Sequence, residues 1–147
     1  MYKKILVASD GSEISKRAAH QAVTLAKHVG AEVRAVFVID TRVLPGSHPI
    51  VPESMAPHYF SLIDEMRKAG DKSLKEVVDE GSKHGVSCKH EILEGTPAEC
   101  ILKDAEDSGA ELIVMGTHGR SGFAALLLGS TAQAVVHGAK TPVLLVR

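Results

Sequence analysis

Short apolar runs alternate with longer amphipathic segments along this chain. Runs of this length, bounded by polar or turn-forming residues, predict strands. The predicted strands are Ile5–Ala8, Val33–Ile39, Val86–Leu93, Leu112–Met115 and Val143–Val146. Most of them are apolar on both faces, which is typical of strands inside a parallel sheet that is covered on each side. Val86–Leu93 alternates with polar residues instead and predicts a strand at a sheet edge.

Helical spacing of apolar residues predicts helices between these strands. They run from Ser12 to Gly30, from about His58 to His84, from Thr96 to near Gly109, and from Ala132 to His137. Ser12 precedes Glu13 and predicts a side-chain N-cap. The segment Thr96–Glu99 has the sequence of a capping box with proline at the first helical position. Gly70 and Gly81 lie on the apolar stripe of the second helix and predict close packing on the sheet.

The regular alternation of strands and helices predicts one domain over residues 1–147. Its fold class is α/β, with helices wound on both faces of a five-stranded parallel sheet. The segment Thr41–Pro57 interrupts this pattern because it holds four of the six prolines. It predicts a loop, and a role as a lid or as a partner contact stays open.

Composition and charge exclude several classes of function. The net charge of -1 gives no electrostatic footprint for nucleic acid or for an anionic membrane. Aromatic residues are only 3% of the chain, and Trp is absent, so a base-stacking platform is not expected. No apolar run has the length of a bilayer span, and residues 1–4 lead straight into a strand without an export signal. Cys88 and Cys100 form no C-x-x-C motif, and we expect buried thiols in a reducing cytoplasm.

Candidate chemistry concentrates in the segment Met115–Thr131. Here a predicted strand runs into a glycine-rich loop that ends at a helix N-terminus. Such a junction binds anions, because the first helical turn has unpaired N–H groups and glycine lets the backbone approach a phosphate. A long surface loop with glycines at its bends is the alternative. A Walker A loop is excluded because no Gly-Lys pair occurs, and the dinucleotide fingerprint lacks its glycines after the first strand.

The spacing Gly116-x2-Gly119-x9-Gly129-Ser130 resembles the nucleotide-binding fingerprint of the universal stress protein family. The resemblance extends to the segments Ala8–Ser12, Val36–Asp40 and Thr141–Val146. It implies a Rossmann-like, adenine nucleotide α-hydrolase-like fold with three α/β/α layers and strand order 3-2-1-4-5. In that order the switch point lies between the first and fourth strands, and ligands of open parallel sheets bind beside such a point.

The same resemblance implies a site for ATP. The implied nucleotide-binding residues are Ala8, Ser9, Asp10, Val38, Met115, Gly116, Thr117, His118, Gly119, Arg120, Gly129, Ser130 and Thr131. Val38 would hold adenine through its backbone, Gly116–Arg120 would wrap the phosphates, and Ser130 with Thr131 would donate at the helix start. Family members more often have a small aliphatic residue at the position of Thr131.

Three of these residues keep alternative interpretations. Val38 could be only a buried core residue, since its side chain could be buried either way. Asp10 could accept from the ribose hydroxyls or hold a Mg²⁺ ion on the phosphates, or it could only turn the chain and cap the following helix. Arg120 could contact a triphosphate, or it could be a solvated surface residue. Asp40 is interpreted as a polar residue at a strand end. The eight histidines show no metal-binding spacing, and His118 is interpreted as a loop contact.

No group that could position water for hydrolysis is identifiable from the sequence. We therefore expect an ATP-binding regulatory module that responds to stress, with the nucleotide ordering the Gly116–Gly129 loop. A slow ATPase or nucleotide hydrolase on the same site is one alternative, and a nucleotide-free scaffold or chaperone-like dimer is the other. The resemblance also allows self-phosphorylation at Ser130 or Thr131. The final strand Val143–Val146 is apolar and lacks charges that would protect a sheet edge, which predicts a homodimer built around it.

Overall fold

The computed structural model describes residues 1–44, 52–119 and 128–147. The strands are β1 Lys4–Ala8, β2 Glu32–Asp40, β3 Cys88–Gly95, β4 Leu112–Gly116 and β5 Val143–Val146. The helices are α1 Glu13–Val29, α2 Ala56–Lys83, α3 Pro97–Ser108 and α4 Ser130–Gly138. Short 3-10 turns span Thr41–Val43 and Glu53–Met55. Across these described ranges, no helix combines the length and the apolar character that crossing a bilayer requires.

The strands form one parallel sheet in the order β3-β2-β1-β4-β5. This confirms the expected fold class and strand order. β1 lies at the centre, where Leu6 is in register with Arg34 of β2 on one side and with Ile113 of β4 on the other. The chain leaves β1 toward β2 and later returns to its other side as β4. The carboxyl ends of β1 and β4 are therefore adjacent, with loops that diverge to opposite sides.

Two apolar layers cover the sheet, and alternate residues of each strand enter opposite layers. Ile5 and Val7 of β1 pack with α1 and α2 on one face. Leu6 packs with Ile101 of α3 and Val135 of α4 on the other. The three central side chains of β1, Ile5, Leu6 and Val7, are fully buried. This double burial explains why the central strands read as unbroken apolar runs.

The helix starts show one confirmed and one wrong cap prediction. The hydroxyl of Ser12 accepts a hydrogen bond from the backbone N–H of Ser15 at 3.2 Å, as an N-cap should. Thr96 makes no side-chain cap bond, so the predicted capping box does not form. α3 nevertheless begins at Pro97, and the Cys100 N–H donates to the Thr96 carbonyl at 2.9 Å. Proline starts this helix because its ring fixes a helical φ, without help from a side-chain cap.

The two glycines of α2 confirm the predicted close packing on the sheet. A Cβ atom at Gly70 would lie 2.8 Å from Cδ1 of Phe37, and one at Gly81 would collide with Sγ of Cys88. Cys88 and Cys100 themselves are free and only partly buried, which corrects the expectation of buried thiols. Burial still raises the pKa of both thiols above the usual value.

Candidate functional site

A cavity of about 410 Å³ opens at the carboxyl ends of β1, β2 and β4, beside the switch point of the sheet. Its size is within the range of small-molecule sites. All predicted site residues that the structure describes line it: Ala8, Ser9, Asp10, Val38, Met115, Gly116, Thr117, His118, Gly119, Gly129, Ser130 and Thr131. Arg120 lies outside the described residues, as do residues 121–127. The fold thus brings three distant segments together, while their role in binding stays a prediction.

One part of the cavity wall is apolar. Val36 and Val38 of β2 contribute to it, together with Met115 of β4 and Ile101 of α3. Val36, Ile101 and Met115 are buried in the layer beneath α3 and α4. The polar groups lie at the ends of β1 and β4 and at the start of α4. An apolar wall beside a polar end suits a ligand with an aromatic ring and a charged group.

Asp10 joins the end of β1 to the glycine loop. Its Oδ1 accepts a hydrogen bond from the Ser12 N–H at 2.9 Å, so the turn-forming role is present. Its Oδ2 faces Gly119, where a Cβ atom would lie 2.8 Å from this oxygen. One oxygen thus holds the turn and the other faces the loop, and the two interpretations of Asp10 are compatible.

The start of α4 is arranged as an anion-binding end. Gly129 is the N-cap and provides no side-chain cap. The N–H groups of the first helical turn have no partners within a helix, and Ser130, Thr131 and Ala132 of that turn line the cavity. The Gly129 N–H donates to the Thr117 carbonyl at 2.7 Å. A Cβ at Gly129 would lie 3.2 Å from that carbonyl oxygen and 3.3 Å from Cα of His118, so glycine allows this close approach.

Thr117 and His118 begin the loop after β4. The buried Thr117 donates its N–H to the Val146 carbonyl of β5 at 2.8 Å. Its hydroxyl shares a hydrogen bond of 3.0 Å with Nδ1 of the half-buried His118. Among the described residues, no group of three His, Cys, Asp or Glu side chains could hold a metal ion. A single carboxylate such as Asp10 would suit only Mg²⁺ that is held mainly by phosphates.

Arg42 is a cavity residue that the sequence analysis missed, because the segment after Asp40 was interpreted only as a loop. The Asp40 carboxylate accepts from Arg42 three times, from N at 3.0 Å, Nε at 2.9 Å and Nη2 at 2.8 Å. These bonds hold the pKa of Asp40 below its usual value. The side chain of Asp40 is therefore used in fixing the turn Thr41–Val43 against the cavity. The spacing Asp-x-Arg directly after a strand was the available signal.

The sequence and the fold of this chain were compared with those of known proteins. The model of the universal stress protein family matches residues 1–147. Universal stress protein MJ0531 of Methanocaldococcus jannaschii is 41% identical over 148 residues, which cover 100% of this chain and 83% of that protein. Universal stress protein UspA from Lactobacillus plantarum superposes with a TM-score of 0.88 at 26% identity, over 99% of this chain and 98% of that one.

A further solved structure is that of a ligand complex. It is a universal stress protein in complex with cAMP, with a TM-score of 0.69 and 27% identity, covering 99% of this chain and 97% of that chain. The family model matches the whole chain, and the sheet order and the spaced glycines of this chain agree with that match. This chain belongs to the universal stress protein family.

Proposed function

We propose that the cavity binds ATP and that the protein acts as a nucleotide-responsive regulatory module in the stress response. The observation that carries this proposal is the meeting of the uncapped α4 start, Asp10 and the apolar β2 wall in one cavity. The complex of a related protein with cAMP supports an adenine nucleotide as the ligand class. Binding follows from complementarity of shape and charge, and turnover is not required for it.

The parts of the cavity match the parts of the nucleotide. The side chains of Ile101 and Met115 would receive the adenine ring, since they belong to the apolar wall, and the Val38 backbone N–H and C=O would hydrogen-bond to it. Asp10 would accept from ribose hydroxyls or hold Mg²⁺ bound to phosphate. The α4 N-terminus would receive the phosphates, where N–H groups and the helix dipole favour negative charge.

Regulation would come from a difference in ATP affinity between two states of the protein. The segment Gly116–Gly129, most of which lies outside the described residues, is our candidate for the part that ATP orders. The protein would work as a homodimer, because β5 is an edge strand with Leu144 39% exposed. A cytoplasmic location belongs to this proposal, since the two cysteines are free thiols.

Calorimetric titration with ATP, with and without Mg²⁺, tests the proposal. We expect wild type to bind and Gly129→Val to lose at least about 100-fold in affinity, because the side chain would fill the approach between Thr117 and His118. Gly138→Val, at the other end of α4, is the matched control. A Cβ atom there would meet the flexible end of the Leu102 side chain, whose Cδ1 would lie 2.7 Å away, so ATP affinity should stay unchanged. Absence of binding by wild type in both conditions would rule out the ATP site.

A further inference from the structure

Three buried serine hydroxyls from different parts of the fold meet at the wall of the cavity. Ser9 follows β1, Ser15 lies on α1 and Ser73 lies on α2, and their exposed fractions are 5%, 3% and 5%. The Ser9 Oγ lies 2.6 Å from the Ser73 Oγ and 3.3 Å from the Ser15 Oγ. The Ser15 Oγ donates to the Ser12 carbonyl at 2.9 Å. The serines therefore connect α2 to the first turn of α1 through the end of β1.

The direction of this hydrogen-bond chain follows from counting protons. Each hydroxyl has one proton to donate and two lone pairs that accept. The proton of Ser15 goes to the Ser12 carbonyl, so Ser15 can only accept from Ser9. The proton of Ser9 is then used as well, and the short contact to Ser73 must be donated by Ser73. The protons point from α2 through Ser9 to α1.

Only part of this chain faces the cavity. Ser9 and Ser15 line it, and Ser9 directly precedes Asp10. Ser73 does not line it. The hydrogen bond from Ser73 to Ser9 therefore gives this buried hydroxyl a direct connection to the cavity wall.

We propose that Ser73 is a positioning residue of the nucleotide cavity. Its hydroxyl holds the Ser9 oxygen, and with it the backbone leading into Asp10, in the geometry that receives ATP. This inference rests on the proposed function. Without the Ser73 donor, a buried acceptor at Ser9 loses its partner, which is unfavourable unless the group moves to find another. Such a movement at Ser9 displaces the wall next to Asp10.

Calorimetric titration with ATP of wild type, Ser73→Ala and Ser82→Ala tests this role. Ser82 is the matched control, because it lies on the exposed side of the same helix and its hydroxyl donates only within the helix, to the Val78 carbonyl at 3.0 Å. We expect Ser73→Ala to bind ATP about 3- to 10-fold more weakly and Ser82→Ala to match wild type. Ser73→Thr keeps the hydroxyl and should restore most of the affinity.

A cycle with Ser9→Ala separates positioning from a general loss of stability. If Ser73 acts through Ser9, adding Ser73→Ala to Ser9→Ala should weaken ATP binding by less than about twofold more. Urea unfolding of each variant gives the stability change independently. Full ATP affinity in Ser73→Ala, or additive losses in the double variant, would overturn the positioning role while leaving the ATP site intact. Failure of wild type to bind ATP would overturn the proposed function and this inference together.

Discussion

At the scale of single residues, the Asp10 carboxylate lies close to Gly119 and so brings the end of β1 next to the loop that follows β4. Gly119 does not have a left-handed φ, so an alanine there would meet no backbone strain. The obstacle is the Asp10 carboxylate, whose Oδ2 would lie 2.8 Å from the new Cβ. That oxygen would have to move away from the loop while Oδ1 holds the turn at Ser12.

We therefore expect Gly119→Ala to reduce ATP affinity by about tenfold, equivalent to ~1.4 kcal/mol, with little change in the free energy of unfolding. Calorimetric titration and urea unfolding measure the two quantities. In an Asp10→Ala background the same substitution should cost much less, because the carboxylate that it displaces is gone. An equal cost in both backgrounds would mean that Gly119 acts independently of Asp10.

A site residue could be predicted from the sequence when its role leaves a local pattern, and it was missed when its role depends on a residue far away in the chain. Gly116, Gly119 and Gly129 can be identified from the sequence as candidate site residues. Close approach of the backbone to a ligand or to another segment requires glycine, and the three glycines stand at a recognisable spacing. The role of Ser73 cannot be identified from the sequence. Its hydrogen-bond partner Ser9 is 64 residues away, and nothing in the sequence around a helical serine indicates such a partner. Thr96 is the opposite case. The sequence around it matches a capping box, but its side chain makes no cap hydrogen bond in the structure.

At the scale of elements, a charged cluster ties β2 to its neighbours at the amino end of the sheet. Arg34 of β2 donates to Asp104 of α3 through Nε at 2.6 Å and Nη2 at 2.5 Å, and to Glu91 of β3 through Nη2 at 2.5 Å. Asp104 is 9% exposed, so its charge depends on this partner. Hydrogen bonding to Asp104 raises the pKa of Arg34, which stays charged throughout the accessible pH range.

Arg34→Met should lower the free energy of unfolding by about 2–4 kcal/mol, because it leaves the Asp104 carboxylate nearly buried without its partner. Arg34→Met combined with Asp104→Leu should recover most of this loss. Arg67→Met is the control, since Arg67 pairs with Glu94 at an exposed position and should contribute less than about 1 kcal/mol. Urea unfolding compares the variants, and equal losses for Arg34→Met and Arg67→Met would contradict the argument.

At the scale of the whole molecule, the two sheet edges differ in protection. β3 carries charged side chains, including Lys89, Glu91 and Glu94, as its alternating sequence indicated. β5 has the sequence Val-Leu-Leu-Val and exposes Leu144. An apolar edge of this kind favours pairing with another strand. Residue polarity predicted β3 as an edge strand, and the family resemblance provided the strand order that puts β5 at the other edge. Pairing of β5 with a second copy stays a prediction.

We expect wild type to be a dimer in light scattering coupled to size-exclusion chromatography, and Leu144→Glu to shift it to monomer. The added charge would oppose burial of the β5 edge against a second copy. Phe60→Glu is the control, because Phe60 is 67% exposed on α2, which packs on β2 and β3. A monomeric wild type would contradict the predicted dimer. A Leu144→Glu variant that stays dimeric would mean that the dimer contact lies away from β5.

The central position of β1 also affects when this protein can fold during synthesis. β1 is the first strand made, yet one of its two neighbours, β4, and the strand beyond it, β5, are made last. A nascent chain that has produced β1, β2 and β3 still exposes the open side of β1, which other chains could pair with. The loop after β4 also depends on β5, because the Thr117 N–H donates to the Val146 carbonyl. We therefore expect the cavity to reach its final shape only after β5 has left the ribosome, so that nucleotide binding would report completed folding.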